Sequence, residues 1–354
     1  MARLKKVDCS GPGIRRRRRG KGFEYLDDDG RRVTEPSVIE RIRELAIPPA
    51  WEDVWICPYP MGHIQATGTD AAGRKQYRYH DRWRERRDAE KFEEMIDFAQ
   101  ALPRLRERVN KDLRRDGMPR DKVLACAMRL LDRGFFRIGS ENYAEENDTY
   151  GIATMRKDHV QVSQDQVTFD YEAKGGQRRV QVIGDPEVAE IARAMKRRRG
   201  GGEELLAYRA GRRWVDVKSA DINAYLKEAT GGEFSAKDFR TWSGTVLAAV
   251  ALAVAGMAST SKSARTRAKS RAVKEVARYL GNTPAVCRAS YIDPRVFDRF
   301  DGGLTIGGAL PELADDTAAW PDVQRAVEEA VLDLIANDRE SDLVEEGVEL
   351  AAVA

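Results

Sequence analysis

Residues 278–294 read RYLGNTPAVCRASYIDP, which predicts the end of one helix followed by a complete short helix. Thr283 is suited to cap the short helix, with Pro284 at its first position, where a missing N–H costs nothing. Pro294 predicts that this helix ends soon after Tyr291. A tyrosine in this position either packs with a solvated hydroxyl or presents that hydroxyl to a substrate.

The charge of the chain is distributed unevenly along its 354 residues. From residue 310 onward there are thirteen acidic and two basic residues, a net charge of −11, whereas the whole chain carries +3. Residues 1–309 therefore carry +14. A strongly basic body with an acidic end indicates a polyanionic partner, with nucleic acid as the first candidate.

The cysteines and the termini predict a protein of the cytoplasm. Four scattered cysteines (Cys9, Cys57, Cys126 and Cys287) form no CxxC pair, so we expect free thiols and neither disulfides nor a zinc site. The basic N-terminus is not followed by the apolar segment of a signal peptide. The longest apolar run, at residues 245–258, is short and alanine-rich, which predicts a buried core helix and no membrane span.

The order of predicted elements indicates an α+β fold. A small β-rich N-terminal domain is followed by a larger, mostly α-helical domain that carries a small β-hairpin sheet. The predicted divisions are a basic arm (1–21), the β-rich domain (22–90), the helical domain (91–309) and an acidic C-terminal tail (310–354).

Two stretches of the N-terminal part combine features suited to nucleic acid. Residues 15–19 are five consecutive arginines, which we expect to remain solvated or to lie on phosphates. Residues 75–80 read KQYRYH and predict a strand in which Tyr77 and Tyr79 alternate with Arg78. Such interleaving suits a nucleic-acid groove, although an ordinary exposed strand packed by its tyrosines has the same pattern.

The larger domain contains basic residues in unusual settings. Arg137 lies between Phe136 and Ile138, and an arginine in an apolar run either pairs with a buried carboxylate or receives an anion. Lys174 precedes two glycines in a predicted hairpin turn, a position that is solvent-facing unless the hairpin delivers the lysine to a substrate.

The remaining inventory excludes several kinds of chemistry. The chain has no HExxH, P-loop or dinucleotide-binding signature, and its three histidines (His63, His80 and His159) all precede residue 160. A histidine-based hydrolase, a metal-dependent nuclease and ATP hydrolysis are therefore unsupported. What remains is a basic site of arginine and lysine with a tyrosine.

Four motifs, in this order along the chain, resemble those of type IB DNA topoisomerases, in particular the small poxvirus-like form found in bacteria. They are FFRIG at 135–139, Lys174 in its hairpin, KDFR at 237–240, and Asn282-Thr-Pro followed by Tyr291. Each motif is short, but their joint order and spacing, over roughly residues 20–309, make the resemblance specific.

The resemblance implies a mechanism without ATP, metal or any other cofactor. Tyr291 would attack a phosphodiester of double-stranded DNA, form a 3′-phosphotyrosyl bond and release a 5′-hydroxyl, which attacks back after the nicked strand has swivelled. Arg137 and Arg240 would neutralise the transition state, and Lys174 would protonate the leaving oxygen.

The resemblance also implies the molecular setting. The two domains would form a C-shaped clamp on the duplex, in a monomeric protein associated with the nucleoid in the cytoplasm. Additional DNA contacts are expected from residues in both domains, namely Lys237, Tyr143, Tyr77, Arg78 and Tyr79.

Asn282 departs from the pattern of the family, because poxvirus enzymes carry a histidine at this position. An asparagine amide still donates a hydrogen bond to a nonbridging phosphate oxygen, but it carries no charge. The alternative interpretation is that Asn282 is a capping residue ahead of Thr283. The acidic tail after residue 310 is the second departure.

Two other functions are compatible with parts of the pattern. A tyrosine site-specific recombinase shares the Arg, Lys, Arg and Tyr chemistry but usually has a histidine three residues before the second arginine, where this chain has Lys237. A non-catalytic, architectural DNA-binding protein would account for the basic body but not for the ordered motifs.

Overall fold

The computed structural model describes residues 3–256, 261–314 and 320–346. The chain divides into two compact units, Met1–Phe92 and Glu93–Ala354. The first is β-rich, and the second is mostly helical with small sheets, so the predicted α+β class is confirmed. The first unit includes residues 1–21 and ends close to the domain boundary predicted at residue 90.

The first unit is a five-stranded antiparallel sheet in the order β2-β1-β3-β4-β5, with one helix on it. Its elements are β1 (Ile14–Arg19), β2 (Gly22–Leu26), α1 (Pro36–Glu44), β3 (Glu52–Ile56), β4 (Ile64–Thr69) and β5 (Lys75–Tyr79). Ile42 of α1 joins Ile14, Val54, Ile56 and Ala66 in a core on one face of the sheet. Burial of these apolar side chains holds α1 to the sheet.

The arginine block is a strand, so the prediction of an arm is wrong for residues 14–19, although most of the arginine side chains are solvated as expected. Strand geometry sends alternate side chains to opposite faces, so only some of the arginines turn toward the interior. Arg16 donates to the carbonyl oxygens of Pro48 (3.1 Å) and Trp51 (2.5 Å), and its guanidinium lies 4.2 Å from the Phe23 ring centroid. Its four arginine neighbours in β1 are exposed.

The second unit is built mainly from helices. They are α2 (Asp81–Leu113), which begins in the first unit, α3 (Arg120–Gly134), α4 (Glu141–Asn147), α5 (Pro186–Arg197), α6 (Ser219–Thr230), α7 (Ala236–Gly256), α8 (Lys262–Leu280), α9 (Pro284–Ser290), α10 (Pro294–Asp301), α11 (Leu310–Ala314) and α12 (Trp320–Ala336). Two 3₁₀ turns lie at Ile152–Thr154 and Gly307–Ala309.

Three small sheets accompany these helices. Their strands are β6 (Val160–Ser163), β7 (Gln166–Ala173) and β8 (Gln177–Gly184), then β9 (Ala207–Ala210) with β10 (Arg213–Asp216), and β11 (Leu304–Thr305) with β12 (Glu345–Glu346). Strands β7 and β8 pair from Gln166↔Gly184 to Ala173↔Gln177. Residues 174–176 are the turn between them, which confirms the predicted hairpin.

Helix α7 is the central helix of the second unit. By length and composition it would suffice to cross a membrane, but 56% of its apolar window is buried inside the protein. Arg240, Thr241 and Thr245 are buried with its apolar residues. This is the pattern of a core helix, as the sequence predicted, with polar side chains included where other elements supply partners.

Residues 320–346 are an integral part of the second unit, so the prediction of a separate tail is wrong for them. Helix α12 buries Val323, Val327, Val331 and Leu334, which recur at helical spacing. Strand β12 pairs with β11, which follows α10. An acidic composition is compatible with this packing because the acidic side chains occupy the remaining faces of the helix.

Candidate active site

Four of the predicted catalytic residues meet around the junction of α7, α8 and α9. Arg240 lies in the first two turns of α7, Asn282 follows α8, Tyr291 is the C-cap of α9, and Arg137 comes from the segment after α3. Hydrogen bonds and ring contacts connect them.

Arg240 is held rigidly by the ends of two other helices. Its side chain is 4% exposed, and its Nη1 and Nη2 atoms donate to the carbonyl oxygens of Phe135 (2.7 Å) and Leu280 (2.8 Å). Phe135 adopts a left-handed conformation (φ 55°) at the C-cap of α3. Both acceptors lie at helix ends, where carbonyl groups have no partner within the helix.

Arg137 is anchored beside it by the loop between α8 and α9. Its Nη2 donates to the Gly281 carbonyl oxygen at 2.9 Å and to Asn282 Oδ1 at 2.5 Å. Gly281 is the C-cap of α8, with φ 58°, a conformation that glycine adopts without strain. Arg137 therefore donates to neutral oxygens of residues 281 and 282, and not to a carboxylate.

The side chain of Asn282 serves Arg137 and does not cap α9. Thr283 is the cap, because its hydroxyl accepts a hydrogen bond from the Val286 amide at 3.3 Å. The prediction of Thr283 and Pro284 at the helix start is confirmed, and the capping interpretation of Asn282 is wrong. The Asn282 Nδ2 atom is buried beside the Cys287 thiol and has no hydrogen-bond partner of ordinary geometry among the described residues.

Tyr291 lies next to the arginine pair. Its amide donates to the Cys287 carbonyl oxygen at 2.9 Å, and the guanidinium carbon of Arg240 is 5.1 Å from its ring centroid. Helix α9 ends at Ser290, and Pro294 is the first residue of α10. The predicted end of the short helix near Tyr291 is therefore confirmed to within a residue, but the role given to Pro294 is wrong: the proline begins the next helix, where its missing N–H is tolerated.

Residues on α7 also contact the backbone at Tyr291 and just after it. Gly244 lies against the Tyr291 carbonyl group, and the hydroxyl of Thr245 accepts a hydrogen bond from the Asp293 amide at 3.1 Å. Asp293 is fully buried, caps α10 and forms an ion pair with Arg295 at 2.7 Å. Sequence analysis missed these residues, although the Asp293-Pro294 pair is a typical helix-start signal.

The electrostatics of the site favour an anion. Burial lowers the pKa of Arg137, and burial together with the charge of Arg137 lowers the pKa of Arg240 to about 10, so both remain cations at neutral pH. Among the described residues, these two guanidinium groups donate to carbonyl and amide oxygens and not to carboxylates, and Arg240 also interacts with the Tyr291 hydroxyl. The Arg240 Nε atom is buried without a partner.

A structural arginine of the same unit shows the contrast. Arg106 lies between Asp132 (2.9 Å) and Glu328 (2.6 Å), and hydrogen bonds to these carboxylates outweigh burial and raise its pKa. The Arg137 and Arg240 pair lacks such compensation. A buried cation (Arg240) and a half-buried one (Arg137), with no carboxylate bonded to either among the described residues, would be stabilised by a bound phosphate.

The hairpin that carries Lys174 borders this site through Tyr171. Tyr171 of β7 donates to Gln181 Oε1 at 2.8 Å, and burial raises its pKa while the nearby charges of Arg179, Arg137 and Arg240 act in the opposite direction. Lys174 lies at the exposed tip of the same hairpin, three residues farther along the strand direction. The structure thus places Tyr171, three residues before Lys174, close enough to the arginine pair to feel its charge.

The predicted DNA contacts lie in three places. Lys237 is exposed in the first turn of α7, and Tyr143 belongs to α4, although its side chain lies outside the described residues. In the first unit, Tyr77 and Tyr79 stack on one face of β5, with ring centroids 5.9 Å apart and an interplanar angle of 15°. Arg78 points to the opposite face, because it pairs with Ala66 of the core.

Comparison with known proteins identifies relatives of both units. A family model described as eukaryotic DNA topoisomerase I, catalytic core, matches residues 80–300. A second, described as bacterial DNA topoisomerase IB, N-terminal domain, matches residues 22–70.

Individual relatives carry corresponding names. DNA topoisomerase 1B of Acanthamoeba polyphaga mimivirus is 34% identical over 288 residues, which cover 79% of this chain and 85% of the viral protein. DNA topoisomerase I of Monkeypox virus is 26% identical over 107 residues, 30% of this chain and 34% of that protein. DNA topoisomerase 1 of Daucus carota is 25% identical over 160 residues, 44% of this chain and 18% of the plant protein.

Proposed function

Because this chain belongs to the type IB DNA topoisomerase family, we propose that it relaxes supercoiled double-stranded DNA by cutting and rejoining one strand through Tyr291. The protein is an isomerase, since the bonds of substrate and product are the same. The observation that carries the assignment of the nucleophile is the contact between the Tyr291 ring and the buried, uncompensated guanidinium of Arg240.

The proposed reaction consists of two transesterifications. The Tyr291 hydroxyl loses its proton and forms a bond to phosphorus, and the bond between phosphorus and the 5′-oxygen breaks. The energy of the phosphodiester is kept in the phosphotyrosine, so no nucleotide is consumed. After the nicked strand has rotated about its partner, the 5′-hydroxyl attacks phosphorus and releases Tyr291.

The arginine pair supplies the electrostatic part of catalysis. Negative charge accumulates on the nonbridging oxygens in the transition state, and Arg137 and Arg240 are already fixed by helix-end carbonyl groups before DNA binds. The Arg240 Nη atoms that are bonded to carbonyl groups each have a second hydrogen to donate, and the Arg240 Nε atom has no other partner. Both hydrogens of Arg137 Nη2 are used by Gly281 and Asn282, so Arg137 would donate to phosphate from its other nitrogens. Fixed donors of this kind are each worth about 10²–10³ in rate.

Asn282 provides a neutral donor at the same phosphate. Its Oδ1 atom is engaged by Arg137, which leaves its buried Nδ2 atom as the donor. An amide contributes a hydrogen bond but no charge. We therefore assign transition-state charge neutralisation to the arginines and an orienting hydrogen bond to Asn282.

Lys174 is the proposed general acid for the 5′-oxygen. Its position at a hairpin tip suits delivery to DNA, and an ammonium group protonates an alkoxide leaving group. A substrate with sulfur in place of the 5′-oxygen separates this role from binding, because a thiolate leaves without protonation. Lys174→Ala should cleave the oxygen substrate slowly and the sulfur substrate at nearly the wild-type rate; equal loss on both would contradict the role.

Further parts of the proposal concern binding and assembly. Lys237, Tyr77 and Tyr79 are proposed to contact DNA, together with Tyr143 and Arg78. We propose that the protein acts as a monomer in the cytoplasm and needs neither a nucleotide nor a metal ion.

The deciding experiment is relaxation of supercoiled plasmid in EDTA without ATP. We expect relaxation, and denaturant should trap the protein covalently at the 3′ end of the cut strand. Tyr291→Phe should abolish both while leaving DNA binding intact. Activity of Tyr291→Phe would overturn the assignment, and recombination between two sites without relaxation of a single plasmid would identify a recombinase.

A further inference from the structure

The register of the five-stranded sheet places three arginines of β1 on the same face as the tyrosines of β5. Arg15 pairs with Trp55, Trp55 with Thr67, and Thr67 with Tyr77. Residues that pair directly across an antiparallel sheet point to the same side, and side chains two apart in a strand share that side. Arg15, Arg17 and Arg19, here called the basic row, therefore face the same way as Tyr77.

The opposite face of β1 is already occupied by the protein interior. Ile14, the first residue of β1, packs with Ile56 and Ala66 in the core. Arg16 uses its guanidinium on the carbonyl groups of Pro48 and Trp51. The alternation within the arginine block thus separates an inward-facing anchor, Arg16, from the basic row.

The basic row is exposed and partly ordered by one carboxylate. The side chains of Arg17 and Arg19 are 64% and 62% exposed, and they approach Glu24 of β2 to 2.7 and 3.4 Å. The hydrogen bond from Arg17 is the main cause of the lowered pKa of Glu24. The Glu24 carboxylate contacts two of the three guanidinium groups, so the basic row keeps a net positive charge.

A second set of side chains lies on the other side of the same face. Lys75, Tyr77 and Tyr79, here called the aromatic row, alternate along β5, with the Lys75 ammonium 5.8 Å from the Tyr77 ring centroid. Trp55 lies between the two rows and is covered by the N-terminal segment, to which its Nε1 atom donates at the Gly11 carbonyl. The two rows are three strand spacings apart, about 14 Å.

We propose that the basic row binds consecutive phosphates along one strand of duplex DNA, on the face where Tyr77 and Tyr79 are already proposed to contact it. This rests on the proposed function in so far as DNA is the substrate. Side chains two apart in a strand repeat every ~6.7 Å, which is close to the distance between neighbouring phosphates of one DNA strand. The separation of the rows is comparable to the ~12 Å width of the major groove.

The chemistry of the row favours phosphate over a protein partner. Guanidinium groups donate in a planar fork that matches phosphate oxygens, and phosphate contacts are independent of base sequence. We therefore expect the basic row to set the affinity and salt dependence of binding without selecting a cleavage site.

The first test measures binding of full-length protein carrying Tyr291→Phe to duplexes over a range of salt concentrations. Each phosphate contact contributes about 0.9 to the slope of log affinity against log salt. R15Q/R17Q/R19Q should reduce the magnitude of the slope by about 2.7, equally for unrelated duplex sequences. An unchanged slope would overturn the proposal.

Arg18→Gln is the matched control, because Arg18 lies on the same strand, is exposed and pairs with Phe23 on the opposite face. We expect its slope to equal that of the parent protein. A reduction per arginine as large as that of the basic row would mean that general charge, and not the face, determines binding.

The second test does not depend on the folding of a variant. Wild-type protein is modified with an arginine-specific dicarbonyl reagent with and without duplex DNA, and modification is located by mass spectrometry. DNA should protect Arg15, Arg17 and Arg19 but not Arg18; equal modification of all four would overturn the proposal. Plasmid relaxation measured on the same preparation tests the proposed function separately, since its absence leaves the protection pattern readable.

Discussion

Gly244 and Tyr291 are in such close contact that a methyl group on Gly244 would lie 2.4 Å from the Tyr291 carbonyl oxygen. Gly244 is one helical turn after Arg240 on α7, and Thr245, the next residue, binds the Asp293 amide. A single helix therefore carries both the charged donor, Arg240, and the glycine against which the Tyr291 backbone packs. Contacts from α7 therefore help to set the relative position of the two.

Gly244→Ala should displace Tyr291 from Arg240. A contact of 2.4 Å with a backbone oxygen cannot be relieved by rotation of a side chain, so the segment after α9 must shift. A displacement near 1 Å typically costs about 10²-fold in rate, and we expect this loss in single-turnover cleavage. Gly256→Ala on the same helix is the control, because its methyl group would meet only side-chain atoms, the Thr305 methyl at 3.3 Å and the Phe300 ring at 3.9 Å. Equal losses of cleavage rate in both variants would contradict a specific role for the contact between Gly244 and Tyr291.

Arg240→Lys should lower the cleavage rate by about 10²–10³ although it keeps the charge. A lysine cannot donate to both the Phe135 and Leu280 carbonyl groups and still present a fork to phosphate. Arg265→Lys is the matched control: Arg265 is also buried and donates to the Phe300 and Asp301 carbonyl groups, away from Tyr291. The control should lose stability in urea unfolding but retain its cleavage rate when folded. If Arg240→Lys cleaves as well as the control, the fork is not needed.

Asn282→His should retain or raise activity near neutral pH. A neutral imidazole accepts the Arg137 hydrogen bond with one nitrogen and donates to phosphate with the other. When the ring is protonated it has no acceptor left for Arg137, so we expect the rate of this variant to fall as pH decreases through about 6.5, relative to the wild type. The measurement is single-turnover cleavage as a function of pH. A rate below that of Asn282→Ala at all pH values would show that Asn282 is structural.

Glu328→Gln should destabilise the protein by about 1–3 kcal/mol, because it weakens a charged hydrogen-bonded pair in a largely buried site. Glu328 binds Arg106 at 2.6 and 2.8 Å and so ties α12 to α2. Asp322→Asn on the same helix is the control: its pair with Arg325 is 64–70% exposed, and such surface pairs contribute about 0–1 kcal/mol. Urea unfolding measures both. Equal stability of the two variants would indicate that α12 is not held by Glu328.

Local features of the chain were predicted well because neighbouring residues produce them. Thr283 and Pro284 begin α9, and residues 174–176 turn the β7–β8 hairpin, as their capping and turn preferences indicate. Errors arose where a local pattern has two outcomes. A run of arginines was interpreted as an arm, yet it forms β1, whose backbone pairs with β2 and with the more distant β3, while Arg16 finds carbonyl acceptors more than thirty residues away.

The acidic C-terminal part illustrates the same limit. Its composition suggested a separate tail, whereas the apolar spacing of Val323, Val327 and Val331 and the pair between Glu328 and Arg106 join it to the second unit. The sequence contains the amphipathic pattern but not the surface against which the helix packs. Proline at position 294 was likewise ambiguous, since it can follow one helix or begin the next.

By itself, the sequence determined the inventory of this site: a tyrosine, two arginines, a hairpin lysine and an asparagine in a recognisable order, in a basic chain. Only the tertiary structure decided how they work together. Arg240 is fixed by the Leu280 carbonyl, 40 positions along the chain, and Arg137 by Asn282, 145 positions away. The physical reason is that burial, hydrogen-bond acceptors and the absence of a nearby carboxylate depend on residues that the fold brings together from distant parts of the chain.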